Sequence, residues 1–140
     1  MNKLKTTLFE TQVIGLLLKG EDPVLHAIRA QYQQVTKINR ELTGYGFYLH
    51  FYLPPNIARL YKHLPIKPSF SFGDVEAVIS SLENGVGFLL WVKDGLIDML
   101  EAYTYDEAWP ESITEYELKY ISGENLDWNY LHKQWNLDLS

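Results

Sequence analysis

The chain has 140 residues, 46% of them hydrophobic, a formal net charge of −6 and no cysteine. That length suits one domain, 1–140, able to bury about two thirds of its unfolded surface without metal or disulfide staples. The missing cysteines exclude disulfides and thiolate metal sites, and an acidic surface repels nucleic-acid phosphates while steering basic partners, so direct nucleic-acid binding is not expected.

The first residues carry two lysines but no uninterrupted apolar run, and no stretch approaches the roughly 20 apolar residues that span a bilayer. A cytoplasmic protein without membrane association is expected. Thr7 and Glu10 have the spacing of a capping box, and Phe9, Val13, Leu16 and Leu17 follow at helical intervals up to Gly20, predicting a helix over 8–19. Asp22-Pro23 reads as an N-cap followed by proline at the first helical position; Leu25, Ile28 and Tyr32 then share a face, predicting a second helix over 23–34.

From Val35 the period changes to two. Val35 to Leu42 and Tyr45 to Leu53 flank Thr43-Gly44, which predicts a β-hairpin. With a two-residue loop, Phe47, Leu49 and Phe51 share a face with Ile38, while Tyr48, His50 and Tyr52 share the other with Lys37 and Asn39. Residues 54–71 contain Pro54, Pro55, Pro65 and Pro68, so a long connection with one helical turn at Ile57 to His63 is expected there rather than a strand. Over Phe72 to Leu82 the apolar residues fit either period, with strand preferred.

Asp94-Gly95 between two apolar runs is a strong type I′ hairpin signal. Strict pairing outward from it sets Val92 opposite Ile97, Trp91 opposite Asp98 and Phe88 opposite Glu101. Both faces are apolar near the turn, which places this hairpin in the middle of a sheet, one face under the helices and the other under the long loop, the C-terminal segment or a partner. Ser112 to Ile121 alternates as an edge strand, and Trp128, Leu131 and Trp135 have the spacing of a short amphipathic C-terminal helix. The expected architecture is α+β: an N-terminal helical hairpin on a mostly antiparallel sheet of about five to six strands, with that C-terminal helix added.

No phosphate loop, nucleophile elbow or paired-carboxylate motif occurs, and the histidines 26, 50, 63 and 132 lack metal-ligand spacing, so a non-enzymatic protein with no metal and no cofactor is expected. Two groups of residues stand out. Tyr48, His50, Tyr52 and Glu101 form a candidate ligand-binding set: the tyrosines flank the histidine, and strict alternation puts Glu101 on an apolar face with Val92, Ile97, Met99 and Tyr103. Such a carboxylate is either paired, with Arg40 or a tyrosine hydroxyl, or lies at an exposed strand end; buried and unpaired it would be an acid of raised pKa and a general-acid candidate. The second group is Tyr103, Tyr105, Asp106, Glu107, Trp109 and Glu111, in a region where residues 94–127 hold ten Asp/Glu against Lys119 alone. Rigid aromatic rings among acids have the composition of a surface that receives a basic protein, or of a solvated loop covering a sheet edge.

Three stretches, LLLKGEDPVLHAIRAQ, ELTGYGFYLHFYLP and GVGFLLWVKDGLIDMLEAYTYDEAWP, resemble a group of small bacterial proteins, most of them uncharacterised. Some of that group are encoded as immunity proteins of contact-dependent growth inhibition or related toxin systems. The resemblance runs from Leu16 to Pro110 and carries no defined site. It implies an immunity protein that binds and neutralises a cognate toxin domain, with a basic nuclease fitting the acidic charge. A small-molecule or peptide-binding module is the alternative, and the oligomeric state is left open.

Overall fold

The computed structural model describes residues 6–137. Lys3, Lys5 and Asp138, which enter the charge reading, lie outside them. Helix α1 spans Leu8–Leu17 and begins with the expected capping box: the Glu10 N–H donates to Thr7 Oγ1 at 3.1 Å and the Thr7 N–H to Glu10 Oε1 at 2.9 Å. Helix α2, Pro23–Tyr32, is capped by Asp22, whose Oδ1 accepts from the Val24 N–H at 2.9 Å. Each helix stops two residues short of its predicted end.

The strands are β1 (Lys37–Leu42), β2 (Gly46–Tyr52), β3 (Phe70–Phe72), β4 (Val75–Ile79), β5 (Val86–Lys93), β6 (Leu96–Thr104) and β7 (Tyr116–Tyr120), followed by helix α3 (Trp128–Trp135). They form one antiparallel sheet in the order β1-β2-β6-β5-β4-β7, in which β3 shares the outer edge of β5 with β4. The fold is α+β, with seven strands rather than five or six. The addition is β3, whose start at Phe70 lies inside the segment expected to hold no strand; Pro68 immediately before it confines it to three residues. Between β3 and β4 the chain bends at Gly73, where a Cβ would stand 2.4 Å from the Phe88 carbonyl oxygen, and at Asp74, which has φ +96°. The ambiguous stretch after Phe72 is a strand because Val75, Ala77 and Ile79 all point into the core.

Two registers differ from the strict reading. In the first hairpin the ladder closes at Leu42 opposite Phe47, and the Thr43 N–H donates to the Gly46 carbonyl at 3.0 Å, so the loop is longer by one pair. A shift of two residues leaves the faces unchanged, and Ile38 still accompanies Phe47, Leu49 and Phe51. In the second hairpin Lys93 faces Leu96 and Val92 faces Ile97 as expected, but a β-bulge follows: Trp91 pairs with Met99 and Phe88 with Ala102. Asp98 is the extra residue, and beyond it every side chain of β6 points opposite to the strict expectation.

All three helices lie on the same face of the sheet. Phe9 of α1 packs on Phe88 of β5, Tyr32 of α2 packs edge-on to Phe51 of β2, and Trp135 of α3 packs edge-on to Phe72 of β3. Cross-strand partners share a face, so the row Leu49, Leu100, Leu90 and Phe72 defines the core side. The long connection joins the helix side too. Its short 3-10 turn, Leu60–Lys62, lies against the hairpin tip, with the Leu60 N–H donating to the Gly95 carbonyl. Buried Gln31 ties α2 to the same tip: its amide nitrogen donates to the carbonyls of Ala58 and Gly95, both at 3.0 Å, and its oxygen accepts from the Ile97 N–H at 2.8 Å. All of its strong polar groups are engaged, which is what a buried amide requires.

Candidate aromatic face of the sheet

The side of the sheet away from the helices is built by three rows of cross-strand partners. Asn39, His50, Met99, Trp91 and Ser71 form one; Glu41, Tyr48, Glu101 and Leu89 form the next; Gly46, Tyr103, Gly87, Glu76 and Lys119 form the third. Tyr52, opposite Lys37, extends the surface and is 46% exposed. Tyr48, His50, Leu89, Trp91, Met99, Glu101 and Tyr103 are all half-buried. Glycine shapes the third row, since a Cβ at Gly87 would stand 2.5 Å from the Tyr103 ring; the ring lies across the strand where a side chain would otherwise be.

Glu101 occupies the centre of this surface. Its Oε1 accepts a hydrogen bond from the Trp91 indole N–H at 3.1 Å. Neither Arg40 nor a tyrosine hydroxyl fills the partner role anticipated from sequence: Arg40 points to the opposite face, where its Nε donates to Glu10 Oε2 at 2.7 Å. Glu101 shares its face with Met99, Tyr103, Leu89 and Trp91, and the bulge removes Val92 and Ile97 to the core side. His50 has a carboxylate beside it that sequence spacing did not reveal, with Nε2 2.9 Å from Glu41 Oε1, and the Tyr48 ring is tilted 6.0 Å away. Tyr105 stands edge-on to Tyr103 at 5.7 Å and is 43% exposed. Burial, followed by the neighbouring Tyr105 and Glu101, pushes the Tyr103 hydroxyl up to about 12.

The two candidate groups are therefore regrouped. Tyr48, His50, Tyr52, Glu101, Tyr103 and Tyr105 come together on one face. Glu107 and Trp109 are drawn inward. Glu107 caps the turn before β5, accepting from the N–H groups of Glu83 at 3.0 Å and Asn84 at 2.9 Å. Trp109 packs edge-on to Phe47 on the helix side, and its backbone N–H donates to the Gly44 carbonyl at 2.8 Å. Asp106 is exposed with φ +62°, making the turn that follows β6. Glu111 is exposed beside a cleft of about 460 Å³ between α1 and the first hairpin, on the helix side.

Met99 keeps the place beside Glu101 that alternation gave it, whereas Leu89 and Trp91 belong to the face and were not singled out from sequence, because a strand apolar on both sides looks like core throughout. Compared with protein-family models, curated proteins and solved structures, the chain matches none. Among the described residues no cluster of three or more His, Cys, Asp or Glu is placed to hold a metal ion, and no helix is long and apolar enough to cross a membrane.

Proposed function

We propose that this chain is a protein-binding module that takes a basic protein against the aromatic face of its sheet, and that it serves as an immunity protein neutralising a toxin domain. The observation that carries the reading is one-sidedness. Three helices and the long connection pack on one side of a seven-stranded sheet, while the other side presents Tyr48, Tyr52, Leu89, Trp91, Met99 and Tyr103 to solvent. A partly exposed apolar and aromatic surface of this breadth is characteristic of an interaction site. The acidic balance of residues 94–127 favours a partner of opposite charge, and the resemblance to a group that includes immunity proteins supports a protein as that partner. A ladder of side chains on a sheet also makes a broad surface rather than an enclosed cleft, which favours a protein over a small ligand.

Capture from the native host with the wild type and with Tyr52→Glu and Met99→Glu variants tests the reading. Both substitutions place charge on the aromatic face without touching the core. A basic protein retained by the wild type and lost by both variants supports it; an acidic partner, or a partner retained equally by all three, overturns it.

A further inference from the structure

The carboxylate at the middle of an aromatic face identifies what the partner brings to it. Glu101 is half-buried, and its neighbours along and across the strands are Tyr48, Leu89, Met99 and Tyr103, none of them charged at neutral pH. Its one hydrogen bond among the described residues comes from an uncharged donor, the Trp91 indole, and no cation of the described residues pairs with it. A partly exposed carboxylate ringed by uncharged side chains, with one neutral donor on Oε1 and, among the described residues, none on Oε2, has acceptor capacity left for a positive group.

We propose that Glu101 is the receptor for an arginine side chain of the protein partner, the guanidinium seating on the carboxylate and stacking against the Tyr48 and Trp91 rings. This rests on the protein-binding reading and adds the chemistry of its anchor. Arginine fits better than lysine on two counts. Its planar fork can pair with a carboxylate whose Oε1 already holds an indole N–H, leaving Oε2 for charge-assisted bonds. Its flat, weakly hydrated cation also stacks on aromatic faces, whereas an ammonium keeps its water. Tyr48 and Trp91 supply those faces from the two strands on either side of β6.

The anchor can be tested without the partner. Capped single amino acids, N-acetyl-arginine methylamide and N-acetyl-lysine methylamide, are titrated into the full chain while the Trp91 indole N–H resonance is followed by NMR. The arginine probe should shift that resonance saturably in the millimolar range, with the lysine probe at least about fivefold weaker. Glu101→Gln should weaken the arginine probe by about tenfold or more. This variant keeps an oxygen to accept from Trp91, and an otherwise superimposable spectrum shows that it is folded. Equal response to both probes, or an arginine response that survives Glu101→Gln, overturns the anchor. The capture experiment separates the two claims: a basic partner lost by Tyr52→Glu and Met99→Glu but held undiminished by Glu101→Gln refutes the anchor alone, whereas an acidic partner refutes the reading beneath it.

Discussion

Glu10 and Arg40 join the first helix to the edge of the sheet. One carboxylate completes the capping box of α1 and receives the guanidinium of β1, and it is only 2% exposed. Hydrogen bonding to Glu10 raises the Arg40 pKa further above its ordinary value, against the opposing effect of burial. Arg40→Leu strands a buried carboxylate and is expected to cost about 3 kcal/mol. The double variant Arg40→Leu/Glu10→Gln removes the charge while keeping the cap acceptor, so urea denaturation should show it recovering much of that loss. A single-variant cost below about 1 kcal/mol would mean that water reaches Glu10.

Gly95→Val is expected to lower stability by about 2 kcal/mol or more, for two independent reasons. Gly95 has φ +78°, and a Cβ there would stand 2.7 Å from Arg59 Cβ and 2.8 Å from the Tyr61 ring. Those residues clamp the turn: Arg59 Nη1 lies 2.9 Å from Asp94 Oδ2 and the Tyr61 hydroxyl 3.2 Å from Oδ1. An unchanged thermal midpoint would contradict both the turn and the clamp.

Glu107→Ala removes the acceptor of two backbone N–H groups and should cost about 1–2 kcal/mol while leaving partner affinity intact once folding is corrected for. Neutralising exposed Asp106 should behave oppositely, leaving stability unchanged and slowing association at low salt. If the two exchange roles in thermal melts and binding kinetics, the assignment of Glu107 as a turn cap is wrong.

Tyr103 supplies a pH signature. Its folded pKa of about 12 lies above the ordinary value of 10.0, so the neutral form is favoured by folding. The resulting stabilisation is complete below pH 10, where folded and unfolded chains both hold the proton, and it is lost as pH rises from 10 through about 12. Burial raises Tyr32 and Tyr120 as well, so ultraviolet titration should show late-ionising tyrosines, with Tyr103→Phe removing the latest of them. Titration curves that coincide after scaling would contradict the packing of Tyr103 across Gly87.

Local chemistry made much of the fold legible. The capping box, Asp22-Pro23 and Asp94-Gly95 each act within a few residues, and all three stand where their chemistry puts them. The face of Glu101 was not legible, because alternation counted outward from the turn cannot register one extra residue, and Asp98 carries no mark distinguishing a bulge from a regular position. The buried partner of Arg40 was equally hidden: Glu10 reads as a helix cap, and nothing local reveals that the cap faces a strand distant in the chain. The candidate site divided for a related reason. Aromatic and acidic residues close in sequence straddle the end of β6, so Tyr103 and Tyr105 follow the strand's outer face while Trp109 turns back onto Phe47.

The seam between β2 and β6 has a consequence for how the chain folds. Both hairpins that meet there, β1-β2 and β5-β6, close through short local loops and can form early. Their joining, with Tyr48 set beside Glu101, brings together segments far apart in the chain and must absorb the loop entropy of everything between them, the proline-bearing connection included. The late event in folding is then the docking of two preformed ribbons, and the aromatic surface does not exist until it is complete. Hydrogen exchange should register this as two early-protected hairpins and a seam whose cross-strand amides, those of Phe47 and Leu49 on one side and Leu100 and Ala102 on the other, become protected together afterwards.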